Sequence, residues 1–256
     1  MKLFCVQNVN LTLQIKENLI KYTLSLYFCP MNLKHIFFDL DQTLWDFDLN
    51  SELAFQKCFE NQNIQLDFRA FIKTYEPINE SYWKLYAEGK VTKEQLKYAR
   101  LRDTFTILHY EITDEAIDVL AESYLEILPH FNHLHHGTIE ILDYLFPNYK
   151  MHIITNGFNE VSFRKIELSG ISKYFDKIIT SENAGAKKPN PQVFHYALNE
   201  AKAFPHDSIM IGDNFEADVK GALSVGMKAI HYNYLDKIVD EEVETIKYLT
   251  ELKAYF

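Results

Sequence analysis

The sequence predicts an α/β fold, in which a three-layer core with a parallel sheet carries an inserted domain of four helices. Two observations predict it. Over the second half of the chain, short apolar runs alternate with helical periodicity, which is typical of parallel strands with helices on both faces. Directly after the first apolar run, helical periodicity persists over residues 48–130. We therefore predict a core of residues 31–47 plus 131–256 and a helical cap of residues 48–130.

Composition limits the possible partners. The 256-residue chain carries a formal net charge of −10. A surface this acidic repels polyanions, so long nucleic acid and anionic membranes are not expected partners. A small phosphorylated substrate remains possible, because a few local cations and backbone N–H groups are enough to hold one phosphate.

The cysteines indicate a reducing compartment. Cys5, Cys29 and Cys58 are an odd and sparse set, with neither a disulfide framework nor a paired metal motif. We interpret them as reduced thiols of a cytoplasmic protein.

Residues 1–30 do not resemble the rest of the chain. Lys16, Glu17 and Lys21 interrupt their apolar character, so the segment predicts neither a signal peptide nor a membrane helix. Met31 stands just before a well-formed strand. We interpret residues 1–30 as an N-terminal extension that is either disordered or the product of a mis-assigned start.

The first strand and the insertion follow from local patterns. His35–Phe38 is a buried apolar run that ends at Asp39. Helices are predicted in the insertion at residues 51–61, 68–88, 92–108 and 114–127. Thr92 and Gln95 form a capping-box pattern at the start of the third, and a kink is expected at Pro77 in the second.

The remaining chain predicts β–α units. Further strands are expected at residues 151–154, 177–180, 208–211 and 228–230, with helices at 138–145, 160–169, 191–201 and 216–225. Residues 241–255 predict a closing amphipathic helix. Since ligands of parallel sheets bind outside the carboxyl ends of the strands, polar residues just after each strand are the candidate site residues.

Two carboxylates follow the first strand. Asp39 and Asp41 are separated by one residue, so both can reach the crevice at the strand end. Such a pair can provide a nucleophile and an acid/base. Taken alone, the pattern also fits an ordinary solvated loop.

The next strands carry groups suited to phosphate. Thr155, Asn156 and Gly157 provide a hydroxyl, an amide and an unhindered backbone, although a plain turn would also favour these residues. Lys188 precedes Pro189 and can act as a point cation for phosphate.

Acidic residues return after the fourth strand. Asp213 is delivered to the same edge as Asp39, and two carboxylates there require a cation such as Mg²⁺, which prefers hard oxygen ligands. Asp218 lies in the first turn of the next helix. It is predicted either to compensate the helix N-terminus or to support the metal ligands from behind.

These four clusters, in this order, resemble the four motifs of the haloacid dehalogenase superfamily over essentially the whole chain from Met31. The resemblance implies a Rossmann-like core and a phosphate monoester hydrolase. It implies that Asp39 forms an aspartyl-phosphate, that Asp41 serves as acid and base, and that Thr155 and Lys188 bind the phosphoryl group. Mg²⁺ would be held by Asp39, Asp213 and the backbone carbonyl of Asp41.

Asp41 also discriminates within the superfamily, because dehalogenases need no acid two residues after the nucleophile. The chain looks most like bacterial pyrimidine 5′-nucleotidases that act on non-standard nucleotides. That likeness rests on residues 37–48, 154–158 and 212–218, and in the insertion on Trp83 and residues 89–96.

The substrate-contacting residues are less specified. Trp45, Trp83 and Arg100 are candidate contacts for a base or sugar, although buried tryptophans more often belong to a hydrophobic core. Arg100 could instead pair with Asp103. A histidine cluster at residues 130–136 lacks nameable supporting partners, which argues against a zinc site.

The expected function is therefore a Mg²⁺-dependent nucleoside 5′-monophosphate phosphatase, acting as a monomer or homodimer. One alternative is a sugar-phosphate or phosphoglycolate phosphatase. A second is a non-catalytic phospho-acceptor or binding domain, which also uses aspartates at strand ends but needs no lid.

Overall fold

The computed structural model describes residues 33–239 and 242–256, so the predicted extension at residues 1–30 lies outside the described residues. Six parallel strands form one sheet in the order β3-β2-β1-β4-β5-β6. The strands are β1 His35–Phe38, β2 Lys150–Thr155, β3 Phe175–Thr180, β4 Ser208–Gly212, β5 Lys228–Tyr232 and β6 Thr245–Ile246. The predicted parallel sheet is confirmed.

Strand β1 lies at the centre of the sheet. Phe37 is in register with His152 of β2 on one side and with Met210 of β4 on the other. All four residues of β1 are buried, as expected for a strand covered on both faces. The residue that follows β1 therefore lies in the middle of the carboxyl edge, between the ends of β2 and β4.

Helices flank the sheet. They are α5 Thr138–Leu145, α6 Asn159–Leu168, α7 Ser181–Ala184, α8 Pro191–Ala201 and α9 Gly221–Ser224, the last preceded by a π-helical segment, Phe215–Lys220. Val193 and Phe194 of α8 join Phe37 and Met210 in one buried apolar cluster. This cluster packs α8 against the sheet.

The insertion contains four helices among the described residues: α1 Phe47–Gln62, α2 Phe68–Ala87, α3 Lys93–Ile107 and α4 Asp114–Ile127. Polar caps begin them, and the capping box predicted for Thr92 and Gln95 is present. Helix α2 continues through Pro77. In the described part of the chain, every helix is too short or too polar to span a bilayer.

Aromatic side chains hold the insertion together. Phe55 of α1 stacks on Tyr124 of α4 with ring centroids 4.0 Å apart, and its edge contacts Tyr75 of α2 at 4.7 Å. Phe71 adds a further contact with Phe55 at 5.1 Å. Aromatic pairs in these geometries stabilise a core beyond their buried area. The insertion therefore has an apolar interior of its own.

The prediction of a closing helix over residues 241–255 is wrong. Ile246 belongs to β6, which pairs with β5, and a 3₁₀ helix follows at Leu249–Ala254. Ile246, Leu249 and Leu252 are buried at a spacing of three, which matches three residues per turn better than the α-helical period. A spacing of three between buried residues is close to the 3.6-residue period of an amphipathic α-helix, which is why the pattern predicted one.

Candidate active site

The sheet topology brings the predicted residues to one edge. Asp39 follows β1, Thr155 ends β2 and Asp213 follows β4. Lys188 comes from the loop between α7 and α8, and its Nζ donates to the Ile154 carbonyl oxygen of β2 at 2.8 Å. Asp39 is anchored by its own N–H, which donates to the Ile211 carbonyl oxygen at 2.9 Å.

Three carboxylates converge beside Lys188. One oxygen from each of Asp39, Asp213 and Asp218 lies within 4.8 Å of the others. Lys188 Nζ is 2.5 Å from Asp39 Oδ1 and 2.6 Å from Asp218 Oδ1. One cation thus faces three acids, which leaves an excess of negative charge in a buried place.

The pKa values of these groups reflect their mutual contacts. Burial raises the pKa of Asp39 to about 7, against the opposing pull of Lys188. Burial, followed by the charges of Asp39 and Asp218, raises the pKa of Asp213 well above its ordinary value. Burial alone would lower the pKa of Lys188, but Asp218 and Asp39 together raise it.

This donor set fits a divalent cation. Buried carboxylate oxygens are the hard ligands that Mg²⁺ prefers. A cation would offset the burial and the mutual repulsion that raise the pKa values of Asp39 and Asp213. The carboxylate of Asp41 lies outside this group, in keeping with a predicted role for its backbone carbonyl only.

Asp218 lies closer to the centre of the site than the sequence suggested. It is fully buried and belongs to the three-carboxylate group, not to an exposed first turn. The π-helical segment holds it, since Asp218 Oδ2 accepts from the Asn214 N–H at 3.0 Å. A Cβ at Gly212 would lie 2.2 Å from Asp218 Oδ2, so only glycine leaves room for this side chain.

Thr43 is a site residue that sequence reasoning missed. Its hydroxyl donates to Asp213 Oδ1 at 3.2 Å and accepts from the Asp213 N–H at 3.0 Å. Thr43 is fully buried. It therefore fixes the Asp213 carboxylate from behind, and its place two residues after Asp41 was the available signal.

The residues predicted to bind phosphate divide into two groups. Thr155 Oγ1 accepts from the Gly157 N–H at 3.0 Å, which shapes the turn after β2. The side chain of Asn156 instead accepts from the Lys188 N–H at 2.8 Å and donates to the Lys188 carbonyl oxygen at 3.0 Å. The prediction that the Asn156 amide faces phosphate is thus not supported, because both of its polar atoms hold the Lys188 loop.

Asp41 is paired with a lysine that the sequence analysis did not single out. Lys165 Nζ of α6 lies 2.6 Å from Asp41 Oδ1, and the Lys165 side chain is only 3% exposed. Burial lowers the pKa of Lys165, with Asp41 opposing that effect. The sequence did contain a signal for this pair: Lys165 lies on the apolar face of α6 with Val161 and Ile166, where a charged residue needs a partner.

Of the two roles considered for Trp45, the structure supports the hydrophobic core and not the substrate contact. Trp45 is fully buried, and Lys165 Nζ lies 4.1 Å from the centroid of its ring. As placed, the indole has no free surface for a base or sugar. Its contact supports the cation that faces Asp41.

A narrow cavity opens beside Asp41, between the insertion and the sheet edge. Aromatic, apolar and cationic side chains line it, among them Phe47, Trp83, Arg100, Tyr124, Phe158 and Lys165. Two of the three predicted substrate contacts, Trp83 and Arg100, thus lie on its wall. The suggested pairing of Arg100 with Asp103 is wrong, because Arg100 donates to Asn79 at 2.7 Å and Asp103 accepts from Tyr82 at 2.7 Å.

Ion pairs join the insertion to the core at the cavity rim. Lys93 Nζ of α3 lies 2.8 Å from Glu182 Oε1 and 2.9 Å from Glu160 Oε1. It also lies 4.5 Å from the centroid of the Phe158 ring, and Phe158 contacts Trp83 at 5.2 Å. Lys93 and the contact between Trp83 and Phe158 therefore join the insertion to the core beside the cavity.

The histidines of residues 130–136 have separate contacts. His130 Nε2 lies 3.1 Å from a guanidinium nitrogen of Arg164. His135 packs against Tyr234 with ring centroids 5.0 Å apart. Within residues 33–239 and 242–256, the potential metal-binding group is the aspartate cluster, and it includes none of these histidines.

The family is established by comparison with known proteins. Residues 33–226 match the model of the haloacid dehalogenase-like hydrolases. This chain belongs to that family, as the four strand-end clusters imply.

Three individual proteins illustrate what the chain is similar to within this family. The pyrimidine 5′-nucleotidase YjjG of Escherichia coli is 32% identical over 203 residues, which is 77% of this chain and 85% of the relative. The glyceraldehyde 3-phosphate phosphatase of Pyrococcus abyssi is 30% identical over 209 residues, 79% of this chain and 82% of the relative. The crystal structure of YfnB from Bacillus subtilis bound to magnesium matches with a TM-score of 0.80 at 27% identity, covering 87% of this chain and 97% of that one.

Proposed function

We propose that this protein is a Mg²⁺-dependent phosphatase that hydrolyses nucleoside 5′-monophosphates, pyrimidine nucleotides first, through an aspartyl-phosphate on Asp39. The observation that carries the proposal is the division of the two carboxylates. Asp39 belongs to the group of three carboxylates beside Lys188 that could hold a metal ion, whereas Asp41, two residues later, lines the cavity that would receive the leaving group. Phosphoryl transfer needs such in-line placement and charge neutralisation.

In the first step, Asp39 attacks phosphorus and the bond from phosphorus to the ester oxygen breaks. The proton of Asp41 passes to that oxygen, so the leaving group departs as a neutral nucleoside. Lys188 neutralises negative charge on the phosphoryl oxygens. The Thr155 hydroxyl, whose oxygen accepts from the Gly157 N–H, contributes a hydrogen-bond donor at the end of β2.

In the second step, the Asp41 carboxylate takes a proton from water, and the resulting hydroxide attacks phosphorus. The bond from phosphorus to Asp39 breaks, which releases inorganic phosphate, restores the Asp39 carboxylate and leaves Asp41 protonated for the next cycle. When bound by Asp39, Asp213 and the Asp41 carbonyl, with Asp218 beside them, Mg²⁺ supplies positive charge for the phosphoryl oxygens.

Residues 48–130 serve as the cap in this proposal. Closing a cap over the site excludes water and reads the leaving group. The narrowness of the cavity supports this role, because a nucleoside requires the insertion to move away from the core and return.

A second candidate has specific support. The similarity to a glyceraldehyde 3-phosphate phosphatase favours a small phosphorylated sugar or triose as substrate. The chemistry at Asp39 and Asp41 would be unchanged, so only the leaving group separates the two candidates.

The test is phosphate release from a panel of UMP, dUMP, dTMP, ribose 5-phosphate, glyceraldehyde 3-phosphate and phosphoglycolate, with Mg²⁺ and with EDTA. We expect metal-dependent release that is fastest on the pyrimidine nucleotides and is abolished by Asp39→Asn. Asp118→Asn is the matched control, since Asp118 is exposed on α4.

Each outcome has a distinct meaning. Faster release from glyceraldehyde 3-phosphate would replace the nucleotide assignment and keep the mechanism. Stable phosphorylation of Asp39 without turnover would indicate a phospho-acceptor domain. Full activity of Asp39→Asn would rule out the aspartyl-phosphate.

A further inference from the structure

The cavity beside Asp41 contains a buried arginine without an acidic partner. Arg100 is 1% exposed. Within residues 33–239 and 242–256, its side chain donates to the amide oxygen of Asn79 and not to a carboxylate, and its Nε–H has no hydrogen-bond partner. An unpaired buried donor on a charged group is costly, so a protein that retains one has reason to use it.

Arg100 is held rigidly for such a use. One terminal nitrogen donates to Asn79 Oδ1 at 2.7 Å. The guanidinium lies 5.7 Å from the ring centroid of Tyr75 and 5.6 Å from that of Tyr124. Neutral oxygen and aromatic faces therefore position the cation and leave its charge uncompensated.

A second unpartnered polar group lies nearer to the reacting centre. The Ser162 hydroxyl is buried on the cavity wall without a partner. A Cβ built on Gly157 would lie 2.7 Å from Ser162 Oγ, 3.2 Å from Thr155 Oγ1 and 3.4 Å from Asp41 Oδ2. Ser162 is therefore adjacent to the group that would protonate the ester oxygen.

We propose that Arg100 and Ser162 are specificity-determining residues that bind oxygen acceptors of the leaving group, Arg100 a ring carbonyl of a pyrimidine base and Ser162 an oxygen of the sugar. The inference rests on the proposed phosphatase function and names what its cavity recognises. A guanidinium only donates hydrogen bonds, so its ligand must offer an acceptor.

The aromatic lining of the cavity favours one kind of acceptor for Arg100. Phe47, Trp83, Tyr124 and Phe158 line the same cavity as Arg100, and their aromatic surface suits a flat ring. A glycolate carboxylate would satisfy Arg100 but leave these faces without a partner. A carbonyl-bearing ring satisfies the donor and the aromatic walls together.

The test compares leaving groups in the full-length enzyme. kcat/KM is measured with UMP, ribose 5-phosphate, phosphoglycolate and phenyl phosphate, the last being a flat leaving group without an acceptor beyond the ester oxygen. For Arg100→Met we expect a loss of about 10- to 100-fold on UMP, the value of one hydrogen bond from a charged donor, and a far smaller loss on ribose 5-phosphate and phenyl phosphate.

Two further variants sharpen the comparison. Ser162→Ala should slow both UMP and ribose 5-phosphate but spare phenyl phosphate, and it removes a hydroxyl without a partner, so its Tm should not fall. Arg102→Met is the matched control, because Arg102 belongs to the same helix and pairs with Asp114 outside the cavity. If Arg100→Met does not fold, Arg100→Lys takes its place.

Three results would overturn the proposal. Equal losses on phenyl phosphate would give Arg100 a structural role only. Equal losses on ribose 5-phosphate would move its ligand to the sugar, and a largest loss on phosphoglycolate would make the ligand a carboxylate.

Calorimetric binding of uridine separates this inference from the proposed function. Binding that weakens at least tenfold in Arg100→Lys supports base recognition even if no phosphate is released. Phosphate release from UMP without any dependence on Arg100 would retain the phosphatase and discard the inference.

Discussion

Replacing Lys165 with methionine isolates the contribution of the buried cation that faces Asp41. The methionine keeps most of the apolar stem of the lysine and removes the ammonium group, which lies 2.6 Å from Asp41 Oδ1 and 4.1 Å from the Trp45 ring centroid. Breaking a buried ion pair by removing one partner costs about 3–5 kcal/mol.

The lower end of that range applies here. The Asp41 side chain is 25% exposed, so the carboxylate left behind retains contact with water. A loss of about 3 kcal/mol would lower the Tm by roughly 6–12 °C for a chain of this size. The protein should remain folded at room temperature.

The effect on catalysis should depend on the leaving group. General acid-base catalysis contributes about 10²- to 10⁴-fold, and an Asp41 that is no longer anchored should lose part of it. We expect kcat on UMP to fall about 10- to 100-fold, whereas p-nitrophenyl phosphate, whose leaving group needs no proton, should change less than about threefold.

The assay is steady-state phosphate release on both substrates, at a temperature well below the Tm of the variant. Lys173→Met is the control, since Lys173 is exposed and outside the cavity. An equal loss of kcat on both substrates would refute the assignment of Lys165 as a positioning residue for Asp41.

Two further predictions concern the metal and the turn after β2. Burial raises the pKa of Asp39 to about 7, so without metal the native state binds more protons than the unfolded state between about pH 4 and 7 and loses stability as the pH rises. Because Mg²⁺ competes with those protons, the gain in Tm on adding Mg²⁺ should be larger near pH 8 than near pH 5.5. Equal gains at both pH values would contradict this. Gly157→Ala would place a methyl group 2.7 Å from Ser162 Oγ and 3.4 Å from Asp41 Oδ2. The resulting displacement of these side chains should lower kcat about 100-fold with little change in circular dichroism. Near-normal turnover would show that the turn adapts to the methyl group.

The sequence predicted the β–α core well because each strand is a short apolar run that ends in a polar residue. Asp39, Thr155 and Asp213 therefore reach one edge by topology alone. The starts of the helices capped by Thr92 and Thr113 were also predicted, whereas the helix capped by Asp46 begins at Phe47, four residues before the predicted start. Such signals are local, and tertiary packing did not override them.

The predictions failed where a contact with a residue distant in sequence determines the role of a side chain or segment. Lys165 is part of the site because Asp41 lies across from it, and nothing in the periodicity of α6 records that neighbour. Asn156 carries the expected residue type, but the Lys188 backbone occupies its amide. Residues 245–246 add to the sheet because β5 offers a free edge, which a local reading of residues 241–255 could not include.

The central position of β1 has a consequence for the order of synthesis. His35 pairs with Lys150 on one side and with Ser208 on the other, so the earliest strand of the core waits for two strands made much later on the ribosome. The insertion between them can meanwhile form largely local contacts. A nascent chain that ends before about residue 208 leaves one edge of β1 unpaired and apolar, which exposes this segment to non-native strand pairing until β4 has been made.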